Sequence, residues 1–94
     1  MIAVPDGEIL DAIRITARLG GVFGEPAGVA GVAGLRRGRD SGVIGSEESV
    51  LVVITGNGLK DIDSARKAAG EPISITPEIS SLEEALSERG VTVP

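Results

Sequence analysis

The run Val50-Leu51-Val52-Val53-Ile54 constrains this chain more than any other stretch. It is apolar throughout, β-branched at almost every position, and stops abruptly at Thr55-Gly56-Asn57-Gly58. A short apolar run without alternation reads as a strand buried on both faces, as in the middle of a parallel sheet. In open α/β folds ligands bind outside the carboxyl ends of such strands, so chemistry is expected between Thr55 and Lys60. Gly56 and Gly58 permit positive φ and close approach of a ligand, and Thr55 supplies a hydroxyl that donates or accepts. A strand followed by an ordinary glycine turn has the same local pattern.

The rest of the chain gives such a strand little support. Its 94 residues allow one domain at most, near the lower end of what folds unaided. Hydrophobic residues make up 41%, enough for a core, but Phe23 is the sole aromatic ring, so that core has to be built from small aliphatics. The 14 glycines add to the cost, since each one inside an element disfavours it by roughly 1 kcal/mol relative to alanine. The chain reads as marginal alone.

Charge and missing residue types exclude several chemistries. The net charge is −5, and basic residues are dispersed except at Arg36-Arg37-Gly38-Arg39, so nucleic acid is disfavoured as a partner. The Arg cluster reads as a solvated helix end, where cations suit the macrodipole. Without Cys there is no disulfide, thiol nucleophile or zinc thiolate, and without His the commonest general base and metal ligand is missing. No metal site is expected. The apolar stretch from Val22 to Leu35 is interrupted by Glu25 and too short to span a bilayer, so no membrane partner is expected. No leader pattern follows Met1, and the expected location is the reducing cytoplasm.

Helix signals recur along the chain. Pro5-Asp6-Gly7-Glu8 opens a helix with Asp6 as its N-cap; Ile9, Ala12, Ile13 and Ala17 share one face, and Gly20-Gly21 closes it. Pro26 suits the first turn of a second helix, read to about Gly38, whose Gly28, Gly31 and Gly34 bare one side for close packing against a sheet or helix. Asp61 or Asp63 caps a short helix through Ala69, ended by Gly70. Pro72 to Pro77 reads as an edge strand or surface segment. Ser80-Ser81-Leu82-Glu83 fits a capping box for a last helix, with Leu82, Ala85 and Leu86 inward, that runs to Arg89-Gly90. One central-type strand, one weak edge strand and about four helices leave the sheet without the neighbours that strand requires. Residues 1–94 therefore read as a single incomplete α/β domain.

The order DGEILDAIRITARLGGVFGEPAGVAGVAGL followed by SVLVVITGNGLKDIDSA resembles the C-terminal section of the threonine synthase family. These are pyridoxal-phosphate enzymes of fold type II, the tryptophan-synthase-β-like class, and the resemblance covers nearly the whole chain. The G-x-F-x-E-P-A-G motif is shared with threonine and serine dehydratases, whereas T-G-N-G-L-K-D is closer to threonine synthase. The resemblance implies a C-terminal section of a three-layer parallel-sheet domain. It also implies that Thr55 places its hydroxyl at the pyridine nitrogen of pyridoxal 5'-phosphate. Gly56 and Asn57 would line the same wall, and Glu25 would lie near the pyridine edge; as a plain helix start, Glu25 beside Pro26 is a local cap.

Departures from the family pattern matter as much. The family's cofactor-bearing lysine and its phosphate-binding Gly/Asn loop lie upstream; here the only lysines are Lys60 and Lys67, neither in that context. Lys60 reads as a surface residue, and no catalytic residue is assigned. By resemblance, the complete enzyme is a carbon–oxygen lyase of threonine biosynthesis that converts O-phospho-L-homoserine and water to L-threonine and phosphate. The 94 residues are not expected to do so alone. The implied partner is the missing N-terminal part, or a homo-oligomer that completes the sheet. The alternatives are a non-catalytic module that self-associates or binds a partner, and a fragment of a related dehydratase.

Overall fold

A computed structural model describes residues 1–91; the last three residues of the expected 1–94 unit lie outside the described part. The order is α1 (Asp6–Gly20), α2 (Pro26–Asp40), a 3-10 turn (Gly58–Lys60), α3 (Ile62–Ala69) and α4 (Ile79–Glu88). Pro5, not Asp6, is the N-cap of α1, and Asp6 stands within the first turn, where its charge still suits the helix N-terminus. Gly21 closes α1 at φ 68°, with its N–H donating to the Ala17 carbonyl and the Val22 N–H to that of Thr16. Pro26 opens α2 as expected, and the helix runs on to Asp40, past Gly38. Asp61 caps α3: its carboxylate accepts from the Ser64 N–H at 3.0 Å and the Ser64 hydroxyl at 2.8 Å.

The core lies where α1 packs on α2 and α3. Ala12 and Ile13 from α1 meet Val29 and Ala33 from α2 and Ala68 from α3, with Val4, Ile9, Leu10, Val32 and Ile54 packed around them. Three of the five buried residues are alanines, so helix axes come close but little apolar area is gained per contact. Arg37 secures the N-terminal segment, donating to the Ala3 carbonyl at 3.0 Å with Glu8 3.9 Å away. Of the face expected on α1, Ala12 and Ile13 are buried while Ala17 is exposed.

The central strand is corrected by the structure. Val50 to Ile54 is extended, but no backbone hydrogen bond among the described residues involves Val50 to Thr55, and no strand is formed. One face of the segment lies on α2, with Val52 and Ile54 half-buried; the other is open, with Leu51 88% and Val53 67% exposed. A parallel sheet is absent among the described residues because nothing there offers the run a second edge. The only pairing among the described residues is an isolated antiparallel bridge between Gly24 and Asn57. Pro72 to Pro77 is likewise exposed and unpaired.

The glycine stripe of α2 explains how the extended segment reaches the helix. A Cβ on Gly28 would lie 3.0 Å from the Gly56 nitrogen, and one on Gly31 would lie 3.1 Å from Val52. Gly34 faces open space. Two of the three glycines therefore serve a close approach, and the third does not.

The last helix departs from its expected cap. It starts at Ile79 with Glu78 as N-cap and no side-chain capping bond; Ser80 sits within the helix, and the Ser81 hydroxyl instead accepts from the Thr76 N–H at 3.2 Å. Gly90, at φ 71°, marks its end. No residue of α4 is buried, and Leu82 is 41% exposed. The whole is drawn out: its radius of gyration is 17.0 Å, against about 13 Å for a compact domain of this size. Its accessible surface of 6952 Å² compares with about 5,000 Å² for a folded monomer of the same mass.

Two predictions follow from these contacts. Gly28→Ala destabilises the chain by about 1–3 kcal/mol through overpacking, whereas Gly34→Ala stabilises it by about 0.5–1 kcal/mol through helix propensity; urea midpoints of the two variants move in opposite directions. The Asp61 carboxyl is held below the usual aspartate range, chiefly by the Ser64 backbone N–H, then by the Ser64 hydroxyl and the nearby Lys67 charge. A depressed folded-state value means the cap stabilises α3 above the ordinary aspartate range and is lost as acid protonates it. Amide protection factors at Ser64 and Ala65 then fall on acidification in the wild type but show no such step in Asp61→Asn.

Candidate functional site

Ile54 carries the chain to the first turn of α2, and there the segments Phe23–Glu25 and Gly56–Gly58 run antiparallel. The Glu25 N–H donates to the Gly56 carbonyl at 2.8 Å, and the Gly58 N–H donates to that of Phe23 at 3.0 Å. Residues i and i+2 of an extended segment share a face. Phe23 and Glu25 accordingly lie on one side, each over a glycine of the facing segment: a Cβ on Gly56 would overlap the Glu25 carboxylate, and one on Gly58 would overlap the Phe23 ring.

This arrangement revises why the glycines are needed. Neither Gly56 nor Gly58 adopts positive φ. Both are buried, and both are required because a larger side chain would displace the one above it. Gly24 plays the same part on the opposite face, where a Cβ would press on Val29 and Ile54.

All four residues singled out from the sequence come together here. Thr55 is exposed at the carboxyl end of the extended segment, and its hydroxyl has no hydrogen-bond partner among the described residues. Gly56 is buried beneath Glu25, which is half-buried. Asn57 is exposed, but its carbonyl oxygen is already used, accepting from the Leu59 N–H at 2.9 Å as the cap of the 3-10 turn. That leaves its amide NH₂ for any ligand. Lys60 is exposed beyond the turn, and Lys67 stands on α3 near Asp61. Phe23 belongs to the site's support and was not singled out; the alternation Phe23-x-Glu25 facing Gly56-x-Gly58 was its signal. The site thus offers a free hydroxyl and an amide from Thr55 and Asn57, which share one face of the segment, and the Glu25 carboxylate over Gly56 on the other, with no lysine beside them.

No protein-family model matches the chain. Among curated proteins it is 41% identical over 86 residues to the threonine synthase of Methanocaldococcus jannaschii, covering 92% of this chain and 21% of that protein. It is 43% identical over 84 residues to the threonine synthase of Methanosarcina acetivorans, and 42% identical over 78 residues to that of Mycobacterium tuberculosis H37Rv. This chain corresponds to a C-terminal portion of threonine synthase. It spans about a fifth of the length of the curated relatives it matches. A match of 86 residues in 94 necessarily spans both Phe23–Glu25 and Thr55–Gly58, so the bridge that builds this wall lies inside the threonine synthase similarity.

The local geometry is testable without any ligand. Gly56→Ala drives the Glu25 side chain off the bridge: contacts between Glu25 and residue 56 vanish from proton NOE spectra, while those of Ala12, Val29 and Ala33 persist. Gly58→Ala displaces the Phe23 ring in the same way and shifts its ring-current effects.

Proposed function

We propose that this chain supplies one wall of the pyridoxal-phosphate pocket of a threonine synthase, the wall at the pyridine nitrogen of the cofactor. The observation that carries the reading is Thr55. Its hydroxyl is exposed and without a hydrogen-bond partner among the described residues at the carboxyl end of an apolar extended segment, one residue before the glycine that Glu25 covers. Ligands in α/β folds bind at that place. The residues present fit the pyridine edge of the cofactor and nothing more of it. A hydroxyl and an amide donor suit a ring nitrogen and its surroundings, whereas no lysine lies beside them to carry the aldehyde carbon.

When bound, the cofactor supplies an electron sink for the amino-acid substrate. Thr55, as a neutral partner, does not hold a full positive charge on the ring nitrogen as a carboxylate would, so it limits how strongly electrons are withdrawn. Glu25 lies over Gly56 at the edge of this wall, and Asn57 presents its amide group beside it. In this reading the complete enzyme converts O-phospho-L-homoserine and water to L-threonine and phosphate. The lysine and the phosphate loop come from the N-terminal part, which also provides the strands that pair with Val50 to Ile54. Residues 1–94 then form an incomplete domain within a parallel-sheet α/β architecture. The open edges of Val50–Ile54 and the surface excess of roughly 1,900 Å² over a compact monomer support this.

The test is complementation. The chain is mixed with the Methanocaldococcus jannaschii threonine synthase lacking its matching segment, and pyridoxal phosphate is added. The expected result is a stoichiometric complex with the absorbance of lysine-bound cofactor. Thr55→Ala shifts that band and weakens cofactor binding several-fold, as loss of a hydrogen bond of about 1 kcal/mol requires. Failure to form the complex, or a cofactor band indifferent to Thr55, overturns the proposal.

A further inference from the structure

Asn57 is followed by Gly58 and is the only residue of the chain with a side-chain amide, since there is no other Asn and no Gln. An Asn-Gly peptide can close on itself. Once the Gly58 backbone nitrogen loses its proton to water, it attacks the side-chain carbonyl carbon of Asn57. A C–N bond forms there, the bond to the side-chain nitrogen breaks, and ammonia leaves. Water then opens the five-membered imide at either carbonyl, giving aspartate or isoaspartate. Glycine in the second position favours the attack, because it has no Cβ to obstruct the nitrogen and rotates freely.

The bridge holds one reactant ready and the other back. Asn57 is exposed, and its Oδ1 accepts from the Leu59 N–H at 2.9 Å. That bond polarises the carbonyl carbon and leaves the NH₂ group free to depart. Gly58, by contrast, is buried beneath the Phe23 ring, and its N–H donates to the Phe23 carbonyl at 3.0 Å. Closing the imide requires the peptide to turn about the Asn57 Cα–C bond, away from its ψ of 143°. It cannot turn while the bond to Phe23 is made. Yet the bridge is isolated, with no neighbouring strand among the described residues to support it. Pairing this short opens locally more readily than a packed helix.

We propose that Asn57 is a site of spontaneous deamidation and that the Gly58–Phe23 hydrogen bond is its latch. Each opening of the bridge frees the Gly58 nitrogen for attack. The change is one-way. Isoaspartate adds a backbone carbon between residues 57 and 58, so the Gly58 N–H no longer meets the Phe23 carbonyl in register and the bridge stays open. Either product replaces a neutral amide by a carboxylate, two residues from Thr55 and on the same face. The inference goes beyond the cofactor-wall reading and needs only the bridge.

The test follows the intact mass of the 94-residue chain during incubation, folded in buffer and unfolded in guanidinium chloride. Every exchange of NH₂ for OH reports Asn57, because no other side-chain amide exists, and isomerisation at Asp6-Gly7 leaves the mass unchanged. The unfolded chain is expected to convert, and the folded chain to convert about fivefold more slowly, as one hydrogen bond of about 1 kcal/mol provides. The slowing matches the exchange protection of the Gly58 amide, and aged chain loses that protection while α1 and α2 keep theirs. Gly24→Ala, whose Cβ presses on Val29 and Ile54, loosens the bridge and brings the folded rate towards the unfolded one. Circular dichroism checks that its helices remain; if they do not, Phe23→Ala, which uncovers Gly58 but keeps the carbonyl, carries the same expectation. Equal rates in the folded and unfolded wild type, or no conversion when unfolded, overturn the proposal. So does a folded variant with a loosened bridge that converts no faster than the wild type. Because none of these readouts involves cofactor, failure here is separate from failure of the complementation test.

Discussion

Everything at the wall depends on how closely the Thr55–Gly56 peptide lies against the first turn of α2. The approach is possible because position 28 has no side chain: a Cβ there would sit 3.0 Å from one backbone atom of Gly56 and 3.1 Å from another. With the backbone so near, Glu25 at the start of α2 reaches the Gly56 carbonyl through its N–H, and the second bond between Gly58 and Phe23 follows in register. Those two hydrogen bonds hold Thr55 at the lip of the segment and Glu25 over Gly56. Two residues far apart in sequence are thus brought to adjacent backbone positions, without any direct bond between their side chains.

The same packing leaves the extended segment exposed on its far side. Apolar residues such as Leu51 and Val53 in water, together with bare N–H and C=O groups from Val50 to Thr55, are unfavourable and invite pairing. Five small buried residues cannot offset much of that cost. A chain with this balance is physically sensible as one face of a larger assembly, where another strand satisfies the edges and another layer covers Leu51 and Val53. The cofactor-wall reading has the same form: one side of a pocket is present, and the opposite side has to come from elsewhere.

Elements governed by local chemistry were legible from the sequence. Pro26 at the start of α2 and the Gly21 stop of α1 each depend on neighbours within a few residues and stand where the sequence places them, and of the two caps it offered for α3 the structure uses Asp61. The cap of α4 differs from the expected Ser80 because the helix begins at Ile79 with Glu78 as N-cap, which puts Ser80 inside the first turn. The glycine stripe was legible as a close-packing surface at Gly28 and Gly31 but not at Gly34, because a period of three drifts around a helix of 3.6 residues per turn. At the site, Thr55, Gly56, Asn57 and Glu25 were all named from the chain, but neither the overlay of Glu25 on Gly56 nor the prior engagement of Asn57 could be read there.

What the sequence determined by itself is the placement of the helices, the extended apolar run and its polar end, and the likeness to threonine synthase, because these rest on residue order and short-range backbone preferences. The tertiary structure alone decided that Gly56 and Gly58 are needed for lack of a side chain and not for unusual φ, that Phe23 and Glu25 stand above them, and that Val50 to Ile54 has a helix on one face and none of the described residues covering the other. Those outcomes depend on which segments meet in space. Residues 24 and 57 become neighbours only after α2 and the extended segment have packed, and no local preference of either segment encodes that meeting.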